Sequence, residues 1–351
     1  MAAAQALRAG AWRVVELLTT PLVPADYLDV IAPLRNADVL RAKVVAVHRE
    51  TERAVTLTLR PGRGWRRHEP GQYLRLGVDV DGVRLWRAYS LTSAPDRPDG
   101  LVTVTVTAVA GGAVSRHLID RARPGMLLGL ERPTGEFTGA DAAAKVLFVT
   151  AGSGLTPVMG MLRSTRLADA VLVHSAPTRH DVLFGDELRG LARDGRVRLV
   201  ERHTRVDGRL CPAELEALVP DLAERDTWAC GPNDMLDELT RHWTGKRELR
   251  VERFRPAIVV ADGDGGTVTF QRSGKVVEAG PGTPLLEAGE AAGVLMPSGC
   301  RMGICFGCVL PLREGAVRDL RDGRVTTAAE GDNVLVQTCI SAAAGPCRLE
   351  A

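Results

Sequence analysis

The sequence predicts a multidomain chain: an antiparallel β-barrel, then a doubly wound α/β domain, then a small cysteine-bearing domain. Three observations predict it. Between Lys43 and Thr107 apolar residues alternate with period two, as in Val55-Thr56-Leu57-Thr58-Leu59 and Val102-Thr103-Val104-Thr105-Val106-Thr107, with Gly and Pro between the runs. After Gly139 the rhythm changes to unbroken apolar strands, Val146-Leu147-Phe148-Val149 and Val171-Leu172-Val173, separated by helical stretches, the pattern of a parallel sheet covered on both faces. Pro256 and Asp262-Gly263-Asp264-Gly265-Gly266 then offer little to pack, which marks a linker.

The divisions are residues 1–37 as an N-terminal helical extension, 38–139 as the barrel, 140–255 as the α/β domain, 256–266 as the linker and 267–351 as the third domain. A chain of 351 residues suits two or three cores. In the extension, helices are expected over Ala4–Leu18 and Asp26–Ile31, to pack on the neighbouring domain or to face a membrane-bound partner. The net charge of +2 excludes a basic nucleic-acid surface. No apolar run approaches the length of a membrane span. Seven cysteines without a secretory leader point to the reducing cytoplasm, at the inner face of the membrane if the partner is membrane-bound.

Four of those cysteines carry the most specific signal. Cys300-x4-Cys305-x2-Cys308, with Cys339 thirty-one residues further on, has the plant-type spacing of a 2Fe-2S cluster. Three thiolates come from one loop and the fourth from a neighbouring segment, while Gly299, Gly303 and Gly307 let the loop bend and aim its N–H groups at sulfur. A four-cysteine zinc site would show two Cys-x2-Cys knuckles, and only one exists. Without histidine ligands a Rieske centre is excluded.

Upstream, Arg87-Ala88-Tyr89-Ser90 ends an expected strand. Alternation sends Arg87 and Tyr89 to one face, to pair with a phosphate and to stack on a planar ligand, while Ser90 can reach a ring nitrogen. An ordinary surface strand would account for the same residues. Gly111-Gly112-Ala113-Val114-Ser115 follows a strand and opens a helix, where backbone donors suit a pyrophosphate. Over residues 40–255 this ordered set resembles the ferredoxin-NADP reductase superfamily. The resemblance implies a flavin-binding barrel holding FAD rather than FMN, with Ser90 at the reacting ring, and a β-grasp ferredoxin domain at the C-terminus.

Thr150-Ala151-Gly152-Ser153-Gly154-Leu155-Thr156-Pro157 leads from a strand into a helix, a glycine-rich turn that lets a helix N-terminus approach a pyrophosphate. Pro157 replaces the third glycine of the dehydrogenase motif, as it does in the same superfamily. Thr178-Arg179 and Cys230-Gly231-Pro232 follow in the superfamily's order. The resemblance places Cys230 beside the nicotinamide and Phe254 near the flavin, although Phe254 would also serve as interdomain packing. Arg179, with Arg202 and Arg209 near it in sequence, favours NADPH over NADH through paired donors to a 2′-phosphate.

The module order resembles the reductase components of bacterial oxygenase and desaturase systems. It implies an oxidoreductase that passes electrons from NADPH to FAD to 2Fe-2S and on to an external acceptor: a membrane fatty-acyl desaturase, a cytochrome P450 or an alkane hydroxylase. Residues 265–351 carry eight basic and nine acidic side chains, so this domain relies on its tether rather than on charge to find its flavin. No Glu-x-x-His pair occurs, so substrate oxidation is expected on another protein. The non-enzymatic alternative is a redox-sensing or interaction module that retains the cluster.

Overall fold

Alternation in the first domain closes a sheet. The computed structural model describes residues 31–36, 39–254 and 264–351. Apart from Ile31, the two expected N-terminal helices lie outside the described residues, as does most of the linker. Strands β1 (Arg41–Thr51), β2 (Ala54–Pro61), β3 (Tyr73–Val80), β4 (Val83–Ser90), β5 (Val102–Thr107) and β6 (Leu127–Leu130) pair in the order β4-β3-β6-β1-β2-β5. The two outer strands meet through a Leu91–Val104 bridge and the Thr92 N–H to the Thr103 carbonyl at 2.9 Å, which turns the sheet into a barrel. Leu57, Leu59, Leu74, Leu76 and Val104 fill it, and helix α1 (Ala113–Arg121) adds Val114 and Leu118 to that core.

A half-buried strand would leave its threonines in water, yet Thr103 and Thr105 are buried too. Their hydroxyls are satisfied across the barrel, Thr103 with Thr92 and Thr105 with Thr56, each at 2.7 Å. Sequence period identifies the apolar face; it does not say that the other face is also covered.

The second domain is a parallel sheet in the order β11-β10-β7-β8-β9, made of β7 (Lys145–Ala151), β8 (Asp169–Ala176), β9 (Arg198–His203), β10 (Asp226–Cys230) and β11 (Leu249–Glu252). Alternate residues of each strand feed two cores. Val146, Phe148, Leu172, Trp228 and Cys230 face one, with α2 (Leu155–Ser164) and α3 (Gly185–Arg193). Leu147, Val149, Val171, Val173 and Ala229 face the other, with α4 (Pro212–Leu218) and α5 (Asn233–Arg241). The chain leaves β7 toward β8 on one side and returns as β10 on the other, so a crevice opens at the carboxyl ends of β7 and β10. Helix α2 also seats this domain on the barrel. Arg163 donates to the Thr92 carbonyl at 2.7 Å, and a Cβ on Gly160 would stand 2.5 Å from the Leu91 carbonyl.

The third domain is a mixed sheet in the order β13-β12-β17-β14-β15, with β16 on β14. Its strands are β12 (Gly266–Phe270), β13 (Lys275–Ala279), β14 (Val309–Asp319), β15 (Val325–Ala328), β16 (Val334–Gln337) and β17 (Ser341–Leu349). Helix α6 (Leu285–Ala291) presses Leu285, Leu286 and Ala288 onto Val268, Phe270 and Leu349, the β-grasp arrangement. Strand β12 begins at Gly266, a residue the sequence assigned to the linker. All three expected architectures are present, and no helix among the described residues is long and apolar enough to cross a membrane.

Candidate functional site

On β4, Arg87 stands opposite Leu76 and Tyr89 opposite Leu74, so the two do share a face. Tyr89 packs on the barrel core, and burial pushes its phenol well above the usual range. Burial, and then the nearby Arg301 of the third domain, pull the Arg87 guanidinium down to about 10, with Glu290 and Tyr89 acting the other way. Its Nη1 donates to the Trp86 carbonyl at 2.8 Å. Ser90 is buried and its Oγ has no hydrogen-bond partner among the described residues. Such an orphan hydroxyl is costly unless a ligand atom satisfies it.

In the turn before α1, Gly111 takes a φ of +69° with no protein atom within 4 Å of the place a side chain would occupy. Ser115 spends its hydroxyl inside the turn, accepting from Val109 N–H and donating to the Gly112 carbonyl, both at 3.2 Å. Val114 points into the core, so this turn offers a ligand the free N–H groups of the first helical residues from Ala113 onward.

At the crevice of the parallel sheet, Gly152 takes a φ of +54° and faces open space. Gly154 is glycine for a different reason: a Cβ would collide with the Cys230 carbonyl. The side chains of Thr150 and Thr156 turn inward, Thr150 to His174 Nδ1 at 2.8 Å and Thr156 to the Ser153 carbonyl at 2.9 Å. Pro157, third residue of α2, is buried, and Gly231 and Pro232 lead into α5, with Pro232 as its N-cap. Cys230 is fully buried, and burial, then Glu252, push its thiol well up. Phe254 packs at the edge of the first core of this domain.

Glu252 was not singled out in the sequence. It stands next to Cys230 in the β10–β11 register. The residue is only partly covered, but its carboxyl head is buried and Oε2 has no partner. Burial pushes it from 4.5 to about 8. The raised value means that folding favours the protonated acid. The stability this gives is complete below pH 4.5 and is lost as pH rises toward 8, with on the order of 4 kcal/mol at stake. Thermal unfolding between pH 5 and 8.5 should therefore show wild type losing stability with rising pH relative to Glu252→Gln; parallel curves would contradict the burial of this carboxyl.

Arg179 lines a cavity of about 360 Å³ with Arg189, Arg193, Leu199, Glu201 and His203. Thr178 beside it donates to Asp181 at 2.7 Å. Arg202 and Arg209 do not join Arg179 there: Arg202 holds the Gly208 carbonyl and Glu214, each at 2.9 Å, and Arg209 pairs with Asp234. The sequence pointed to the wrong neighbours, because Arg189 and Arg193 reach the cavity from α3.

In the third domain Cys300, Cys308 and Cys339 are buried and Cys305 is half-buried. The loop directs N–H groups at sulfur: Cys300 N to Cys305 Sγ at 3.1 Å, Met302 N to Cys300 Sγ at 3.3 Å and Gly307 N to Cys305 Sγ at 3.4 Å. The two other thiols act on each other, which pulls Cys308 down to about 6 and raises Cys339. The cysteines thus pair as 300 with 305 and 308 with 339. No group of three or more ligands among the described residues is placed for a single metal ion. Two irons taking two thiolates each need this paired arrangement, and the sulfur-directed N–H groups fit the cluster's charge. The positive φ values of Arg301, Gly303 and Phe306 bend the loop, whereas Gly299 and Gly307 serve to leave space.

Tyr73 lies where the three domains meet. Burial, then Cys300, Glu252 and Cys305, push its phenol up to about 12, while Arg75 acts the other way.

Comparison with known proteins agrees with this geometry. Residues 42–138 match the oxidoreductase FAD-binding domain family, and residues 268–344 match the 2Fe-2S iron-sulfur cluster binding domain family. An NADPH oxidoreductase of Mycobacterium tuberculosis is 46% identical over 350 residues, covering 96% of this chain and 91% of that protein. A glycine betaine monooxygenase reductase subunit of Pseudomonas aeruginosa is 30% identical over 312 residues, 77% of this chain and 84% of that one. Phthalate dioxygenase reductase, described as a modular structure for electron transfer from pyridine nucleotides to [2Fe-2S], superposes with a TM-score of 0.57 over 89% of this chain and 98% of its own; at 23% identity it speaks to the fold.

Proposed function

Because the chain belongs to the ferredoxin-NADP reductase superfamily, among members with a C-terminal 2Fe-2S domain, we propose that it is the reductase component of an oxygenase system, drawing electrons from NADPH. It is an oxidoreductase with FAD and 2Fe-2S as cofactors. The observation that carries the proposal is the joining of three sites in one chain: the barrel with its orphan Ser90 hydroxyl, the crevice walled by Gly154 and Cys230, and the four-cysteine loop beside both.

When bound, the flavin supplies the change from two-electron to one-electron chemistry, and the cluster supplies the one-electron outlet. The protein's own groups bind and orient. Ser90 would give its unsatisfied hydroxyl to a flavin ring atom, Arg87 would pair with the phosphates, and the 111–115 turn would add backbone donors. The Gly152–Gly154 turn would take the pyrophosphate of the nucleotide, and Cys230 with the protonated Glu252 would form an uncharged wall beside its reacting ring. Arg179 and Arg193, beside an Arg189 that Glu201 holds, would draw the 2′-phosphate into their cavity, which is the reason for preferring NADPH.

For the acceptor, the relatives named as monooxygenase reductase subunits favour an oxygenase. A membrane desaturase, the narrower expectation from the sequence, is supported by resemblance alone. NADPH-driven turnover with the oxygenase and with the desaturase encoded in the same genome separates them: the proposal expects product with an oxygenase, and product only with the desaturase would replace that acceptor class.

A further inference from the structure

The barrel reaches the cluster loop through a layered stack. Gly77 and Gly129 form its floor, where a Cβ on either would lie 2.9 Å from the Trp86 indole. The Arg75 guanidinium stands 5.6 Å from the Trp86 ring centroid, and its Nη1 donates to Glu131 at 2.8 Å. Its far side meets the third domain. Arg75 Nη2 is 2.9 Å from the position a Cβ on Gly299 would take and 3.4 Å from that on Gly307, and Cys305 Sγ borders the same two positions. The side chain is only 13% exposed, and its Nε is buried without a partner among the described residues.

An arginine on a barrel strand ordinarily extends its charge into water. Here the chain does the opposite, giving up solvation and side-chain freedom to hold a cation over the loop. Four glycines keep the space on both sides clear. The alternative reading, a surface ion pair with Glu131, accounts for neither the burial nor the glycines facing the guanidinium.

We propose that Arg75 is a positioning residue for the cluster: the guanidinium, racked by Trp86 and Glu131, seats the cluster loop on the barrel and favours the cluster's reduced form. The inference rests on the assignment of Cys300, Cys305, Cys308 and Cys339 as ligands. Reduction adds one electron and no proton, so one negative charge appears beside a fixed, poorly solvated cation, and their attraction lowers the free energy of the reduced state. The planar fork matters because it engages the carboxylate, the indole and the loop together, which a lysine cannot do.

An EPR-monitored redox titration of the cofactor-loaded protein tests this. Arg75→Gln should shift the cluster's reduction equilibrium at least tenfold toward the oxidised form, about 59 mV for a one-electron couple. Arg75→Lys should fall between Gln and wild type. Glu131→Gln keeps an acceptor for the guanidinium but removes its counter-charge and should shift the equilibrium the other way; if Arg75→Gln does not hold its cluster, Arg75→Lys decides the matter. Loaded variants with the wild-type potential would overturn the role of Arg75. Wild-type protein without the cluster spectrum would instead overturn the ligand assignment.

Discussion

Replacing Cys339 with serine should abolish electron delivery to one-electron protein acceptors while leaving the flavin half of the molecule at work. A serine hydroxyl is a far poorer ligand to iron than a thiolate, and Cys339 is the one proposed ligand outside the 300–308 loop. Reduction of cytochrome c should fall by more than the roughly 100-fold that loss of a mere supporting partner costs a metal site. Ferricyanide, which can take electrons at the flavin, should still be reduced by NADPH at close to the wild-type rate. Cys347→Ser is the control. Cys347 is also buried in this domain, but it lies on β17 and its thiol is raised by burial alone, so its loss should leave the cluster spectrum intact. Iron and acid-labile sulfide content, measured with the two activities, distinguishes cluster loss from general unfolding.

The second large effect should come from Gly154→Ala. One added carbon would drive into the Cys230 carbonyl, backbone against backbone, where no side chain can give way. Relief requires β7 and β10 to separate at the crevice, and displacements of about 1 Å at a reacting centre cost on the order of 100-fold in rate. The expected result is a fall of about that size in kcat/KM for NADPH, with flavin and cluster spectra unchanged and dithionite still reducing the cluster. A kcat/KM within roughly threefold of wild type would remove this crevice from the nucleotide path.

What the sequence made legible divides along a physical line. The cluster spacing could be read because three ligands come from one loop, so local chain length fixes the geometry. The three architectures could be read because the periods of a barrel strand and of a parallel strand differ. Glu252 could not, because its importance arises from lying beside Cys230 across two strands that eighteen residues separate. The spatial neighbours of Arg179 were hidden for the same reason. Arg202 and Arg209 are close to Arg179 along the chain, but Arg189 and Arg193 are its neighbours in space. Arg75 reads as one charge in an alternating strand, and only the packing of the third domain against it shows a cation at the cluster loop. Even the glycines divide this way. Gly303 bends the loop through its own φ, while Gly299 and Gly307 are small because something else must fit.

The proposed path carries electrons within one chain from NADPH through FAD to the four-cysteine cluster. Anaerobic mixing with NADPH, followed by stopped-flow absorbance with EPR on the frozen product, tests that claim most directly. Flavin bleaching followed by cluster bleaching and the EPR signal of a reduced plant-type cluster is the predicted result. A flavin that is reduced while the cluster stays oxidised would contradict it.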